Sequence, residues 1–151
     1  MVGRCLCGGV AFEFHGPTTD IEICHCRRCQ RVTSSAFVAQ FYVRAENYRW
    51  LSGEDLISLY DAPILREPPA YRSAFCRRCG SSVPAVFAGN PVVGIPTGLV
   101  EGDISARAAD HIWISQKANW LNLREIGRLP EHDGDPTEES TAHLFRPLNL
   151  E

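Results

Sequence analysis

The sequence predicts a mainly β fold of short strands gathered around bound metal. Three observations carry this. Short apolar runs recur at close spacing, separated by Gly and Pro, as in chains built from strands and turns. Only the stretch 118–123 and the segment around Arg107 look even weakly helical at any length. Seven cysteines fall into three tight clusters: Cys5-Leu6-Cys7, Cys24-His25-Cys26-Arg27-Arg28-Cys29 and Cys76-Arg77-Arg78-Cys79.

Taken in order, Arg4 to His15 reads as a hairpin. Gly8-Gly9 supplies its turn, and 10–14 (Val-Ala-Phe-Glu-Phe) alternates as a half-buried strand does. Ile21 to Cys24 is a short strand leading into the cysteine triplet, and a helical turn is expected over Arg27 to Thr33. Strands are expected at 36–43, 48–51 (ending at Ser52-Gly53) and 56–60. Pro63, Pro68 and Pro69 make 61–70 a loop. Strands follow at 71–75, 83–87, 92–95 and 111–114. After Gly127 the chain turns polar. The organisation expected is one domain over 3–125, with a C-terminal extension over 126–151 that is packed or partly mobile.

Composition narrows the function classes. No apolar run approaches the ~20 residues that span a bilayer. The segment Met1 to Cys5 lacks the apolar core of a signal peptide, so the expected location is the cytoplasm, where thiols stay reduced. The formal charge is −3. Seven thiolates against two divalent ions would bring it to about −6. That balance argues against a phosphate-backbone binder, and no nucleic-acid partner is expected. Arg27, Arg28, Arg31, Arg77 and Arg78 form a local basic exception beside the cysteines.

An odd cysteine count with C-x-C and C-x-x-C spacings favours metal over disulfides. Cys5 and Cys7, two apart on an extended strand, would point to one face; Cys76 and Cys79 form the other half-site, with Gly80 accepting the turn. Together they make a closed four-sulfur set, the usual donor count of structural zinc. If these were merely buried reduced thiols, two matched half-sites would be a coincidence.

Cys24, Cys26 and Cys29 make a three-sulfur set. Either a position stays open for water or substrate, or an unidentified residue completes a second structural zinc. His25 lies between two cysteines that share a face, so it is expected to point away and to pack or support. His111 is a remote candidate ligand, read rather as a structural histidine at a strand start. His15, His132 and His143 lie in turn-like or polar stretches and are expected in solvent. A thiol suits an open zinc with three sulfur ligands, because zinc lowers its pKa. One of the nearby arginines could clamp a substrate carboxylate.

The motifs Gly3-Arg4-Cys5-Leu6-Cys7-Gly8-Gly9-Val10, Cys24-His25-Cys26-Arg27-Arg28-Cys29 and Phe75-Cys76-Arg77-Arg78-Cys79-Gly80-Ser81 resemble the glutathione-dependent formaldehyde-activating family, also called the GFA or centromere-protein-V-type domain. The 37–42 and 48–53 segments, His111-Ile112 and Lys117-Ala118-Asn119-Trp120 extend the resemblance over about residues 3–125. It implies an Mss4-like fold of short antiparallel strands. It implies a structural zinc at Cys5, Cys7, Cys76 and Cys79, and a second, more labile zinc at Cys24, Cys26 and Cys29. The activity implied is carbon–sulfur lyase chemistry on a thiol adduct such as S-hydroxymethylglutathione, formed from formaldehyde and glutathione. Arg28 and Ser34, close to the triplet, are the substrate-binding candidates, with Ser35 beside them. No general acid is named by the sequence. The alternative is a non-enzymatic interaction module with two structural zincs. Segment 107–109 lacks the proline expected before the His111 strand.

Overall fold

The computed structural model describes residues 1–62 and 71–129. The expected loop over 61–70 lies almost wholly outside the described residues. So do His132, His143 and most of the C-terminal extension. The chain divides into two units, Met1–Ala118 and Asn119–Glu151.

The first unit is mainly β. Its strands are β1 (Val2–Arg4), β2 (Ala11–Phe14), β3 (Ile21–Cys24), β4 (Val38–Arg44), β5 (Tyr48–Ser52), β6 (Ile57–Asp61), β7 (Arg72–Cys76), β8 (Ser82–Val83), β9 (Val92–Pro96) and β10 (Ala108–Ile112). The helix α1 occupies Arg27–Thr33, the expected span. Three sheets result, ordered β1-β2-β5, β10-β3-β4-β9 and β6-β7-β8. Among the described residues, no helix is long and apolar enough to cross a membrane.

Alternation decides which faces meet. Phe12 and Phe14 of β2, Phe41 and Val43 of β4, and Val93 and Ile95 of β9 form one buried cluster that joins the first two sheets. Each such side chain contributes roughly 1.5–3 kcal/mol by leaving water. Phe14 and Phe41 lie 5.5 Å apart between ring centroids. The other face of β4 carries Gln40 and Tyr42 and stays out of this core. A second cluster of Val10, Ala74 and Val83 surrounds Cys5 and Cys76.

Several expectations are corrected. The 83–87 strand stops at Val83, because Pro84 has no N–H to continue a ladder. The segment around Arg107 is not helical: it leads into β10, which begins at Ala108 and ends at Ile112 rather than running over 111–114. β10 pairs with β3 in parallel, the one exception to antiparallel pairing among the described strands. Pairing across the chain overrides a local composition of Ala, Ala and Asp that favours other conformations. Residues 118–123 are not helical either. Within the second unit, the Asn122 side chain accepts from Arg124 N–H (3.1 Å) and its carbonyl from Glu125 N–H (3.1 Å), a turn that competes with helix.

One glycine pins two sheets' connections together. Gly53 has φ +74°, and a Cβ there would overlap the Gly9 carbonyl oxygen. Gly53→Ala is expected to cost about 3 kcal/mol, lowering Tm by roughly 10 °C. Differential scanning calorimetry checks this; an unchanged Tm would mean that the 8–10 turn yields freely.

Candidate metal centres

The first centre is built from two turns. Cys5 follows β1 directly, and its carbonyl accepts from Gly8 N–H at 2.9 Å. Cys5 and Cys7 therefore converge through a tight turn, not along an extended strand as the spacing suggested. Gly8 closes it with φ +71°. Cys76 ends β7, and its carbonyl accepts from Gly80 N–H at 2.7 Å, with Gly80 at φ +76°. Both turns are of the kind that only glycine closes without strain.

The four sulfurs lie within 4.8 Å of one another. Cys5 and Cys7 are 3.5 Å apart, Cys7 and Cys76 3.9 Å. A tetrahedron of ~2.3 Å zinc–sulfur bonds has edges of about 3.8 Å, so the set fits such an ion. Polar donors surround the sulfurs. Val10 N–H donates to Cys5 Sγ at 3.3 Å, and the Ser81 hydroxyl lies 3.4 Å from Cys79 Sγ. Ser81 Oγ also accepts from Leu6 N–H at 3.1 Å, so one serine ties both half-sites together.

The second centre rests on one helix start. Cys24 is the last residue of β3, Cys26 caps α1, and Cys29 sits within it. Cys26 Sγ accepts from Cys29 N–H at 3.4 Å. All three cysteines are buried, with sulfurs within 4.8 Å. Among the described residues, no histidine, carboxylate or further cysteine joins them within that distance.

His25 turns to the opposite side. It is fully buried, and its Nε2 lies 2.9 Å from His111 Nδ1, with Phe37 edge-on at 5.6 Å. Burial first, then His111, holds His25 below the ordinary histidine range, so it is neutral at pH 7. His111 therefore supports His25 from β10 and does not join the sulfurs.

Two residues that the sequence reading missed frame this hexapeptide. Gln30 is buried; its Nε2 donates to His25 O at 2.6 Å and to Gln116 O at 2.8 Å. Arg27 donates to Gln30 Oε1 at 2.8 Å, and Arg27 N–H to Gln116 Oε1 at 3.0 Å. A glutamine just after a cysteine cluster gives little signal in sequence, because glutamine usually faces water.

A cavity of about 350 Å³ opens beside Cys29, between α1, β4, β7 and β9. Thr33, Gln40, Tyr42, Tyr71 and Ser73 contribute polar groups to its wall. Tyr71 packs on the three cysteines, and the Arg28 guanidinium lies 4.9 Å over its ring. Ser34 is not among the lining residues: it is exposed and ends α1 in the left-handed region, its N–H on Gln30 O.

The thiols of each cluster cannot all ionise without a cation. Cys79 is held down to about 5, first by the Ser81 hydroxyl and then by backbone N–H groups. Gly9 N–H lowers Cys7, but desolvation and three neighbouring sulfurs push it up to about 11. The hydrogen bond with Cys29 brings Cys24 down to about 6, and Cys24 and burial drive Cys29 far up. The sulfurs of each cluster thus push some thiols down and others up, so near neutral pH each cluster keeps protons that a metal must displace. Zinc loading at pH 7 is therefore expected to release protons, with affinity falling about tenfold per pH unit per displaced proton between pH 8 and 6. Competition against a chromophoric chelator measures it; a pH-independent affinity would contradict the protonated ligands.

The family model described as glutathione-dependent formaldehyde-activating enzyme matches residues 1–116. No curated protein matches the chain. A crystal structure of a Rhodobacter sphaeroides protein is similar in fold, with a TM-score of 0.53 at 22% identity, covering 72% of this chain and 100% of the other.

Proposed function

Because this chain belongs to the glutathione-dependent formaldehyde-activating family, we propose that it is a zinc-dependent carbon–sulfur lyase acting on a thiol adduct such as S-hydroxymethylglutathione. The observation that carries this is the three-cysteine centre. It is buried, lacks a fourth protein ligand among the described residues, and presents Cys29 to a cavity. At about 350 Å³ that cavity lies within the ~300–1,000 Å³ typical of small-molecule sites.

In this reading Cys5, Cys7, Cys76 and Cys79 hold a structural zinc, and Cys24, Cys26 and Cys29 a second, exchangeable one. When bound there, zinc lowers the pKa of an incoming thiol and keeps it as thiolate near neutral pH. The chain's own residues supply the rest. The His25–His111 pair and Gln30 hold the hexapeptide in shape. Arg28, braced on Tyr71, is the proposed partner of a substrate carboxylate. The proposed setting is the cytoplasm, with a small thiol as partner and no nucleic acid.

Exchange NMR on glutathione with formaldehyde tests the reading. The loaded protein should speed interconversion of formaldehyde hydrate and S-hydroxymethylglutathione. A rate equal to that without protein would reject this substrate pair. Metal counting under mild chelation separates the alternatives: one zinc lost easily supports the open site, and two zincs held equally tightly support an interaction module.

A further inference from the structure

The polar face of β4 has no role in the core, in either cysteine centre or in the substrate contact assigned to Arg28. Phe41 and Val43 turn into the apolar cluster, so Gln40 and Tyr42 face the cavity that Cys29 also lines. Their geometry is constrained from several sides. Gln40 Nε2 donates to the Tyr42 hydroxyl oxygen at 2.7 Å and reaches Glu22 Oε1 at 3.3 Å. Glu22 stands opposite Gln40 on β3 and, two residues before Cys24, shares its side of the strand. Tyr42 N–H donates to Thr19 Oγ1 at 2.9 Å, and Tyr42 O accepts from Thr19 N–H at 3.0 Å, fixing the backbone. Across the ladder Tyr42 faces Gly94, where a Cβ would lie 3.3 Å from the ring. The absent side chain leaves the ring its place.

We propose that Tyr42, seated by Gln40 and Gly94, is the hydroxyl that binds the oxygen of the thiol–aldehyde adduct held at the three-cysteine centre. This rests on the lyase reading and adds the oxygen subsite that reading lacks. Burial first, then Glu22, which also hydrogen-bonds the phenol, raise its pKa above the ordinary tyrosine value, so it is protonated at neutral pH. It therefore enters the reaction as a donor. In the forming direction, the sulfur lone pair makes the C–S bond and the carbonyl π pair moves to oxygen. That oxygen takes the Tyr42 proton. Solvent returns a proton to the phenolate, balancing the one that the thiol gave up on binding. A preorganised donor aimed at developing negative charge is worth ~10²–10³-fold in rate elsewhere.

The test compares the zinc-loaded full chain with its Tyr42→Phe and Gly94→Ala variants. Calorimetry with 2-mercaptoethanol and ethanethiol reads the oxygen subsite without turnover. The wild type should prefer the hydroxyl-bearing thiol by about fivefold, one hydrogen bond's worth. Tyr42→Phe should abolish the preference while keeping ethanethiol affinity and Tm. Gly94→Ala, which keeps the hydroxyl but displaces the ring, should weaken it. In the exchange assay Tyr42→Phe should lower kcat at least tenfold with KM for the thiol unchanged. Equal affinities for the two thiols in the wild type, or an undiminished preference in Tyr42→Phe, would overturn the assignment of Tyr42 alone. Failure of the wild type to bind either thiol would overturn the thiol reading of the centre, and this proposal with it.

Discussion

Cys76→Ser should leave the chain without a cooperative fold at 25 °C. Cys76 is fully buried at the end of β7, where its sulfur sits 3.9 Å from Cys7 and its backbone holds the following turn. The four-sulfur centre joins residue 5 to residue 79 across the small cluster of Val10, Ala74 and Val83. Structural zinc contributes an apparent ~10–16 kcal/mol in peptide systems, against a net stability of ~5–15 kcal/mol for a whole domain. Even partial loss of that binding is as large as the margin of stability. Serine also leaves a hydroxyl among sulfurs in an apolar setting. Circular dichroism and zinc content should show a disordered or aggregated protein without bound metal. A well-folded Cys76→Ser protein with a normal melting transition would remove the structural role from this centre.

Cys26→Ser should act oppositely, with the fold kept and the second metal lost. All three ligands of that centre come from six consecutive residues, so its metal closes no long loop. The hexapeptide is already held by Gln30 on His25 O and Gln116 O, by Arg27 on Gln116, and by His25 against His111. Serine can still cap α1, since its oxygen can accept from the backbone as Cys26 Sγ does from Cys29 N–H. Metal content should fall by one equivalent, and exchange activity should drop to the protein-free rate. Tm should fall by only a few degrees. Equal melting losses in Cys26→Ser and Cys76→Ser would contradict the division between a structural and a working centre.

What could be read in the sequence follows from interaction range. The sulfur sets depend on spacings within a few residues, and both assemble among the described residues. α1 was legible for the same reason, as a short helical turn over Arg27–Thr33, though its Cys26 cap was not. The mode of convergence at Cys5 and Cys7 was not: the turn expected at Gly8-Gly9 already begins at Cys5, where an extended strand was read. β10 was read partly as weak helix because Ala108-Ala109-Asp110 has no strand character of its own. Its conformation comes from β3, more than eighty residues earlier. β4 was legible as a strand, and along it Gln40 and Tyr42 alternate with Phe41 and Val43. Which side met a cavity was not, because α1 and β7 close that cavity from remote parts of the chain.

The parallel pairing of β10 with β3 sets an order of assembly during synthesis. The four-sulfur centre has all its ligands once residue 79 leaves the ribosome. The partners of His25 and Gln30 arrive only with His111, Ile112 and Gln116. At ~5–20 residues per second, the nascent chain spends seconds with its four-sulfur set complete and its three-cysteine hexapeptide unframed. If each set takes an ion as proposed, the four-sulfur set is complete before the three-cysteine hexapeptide has its frame, and the order of loading follows the order of the chain.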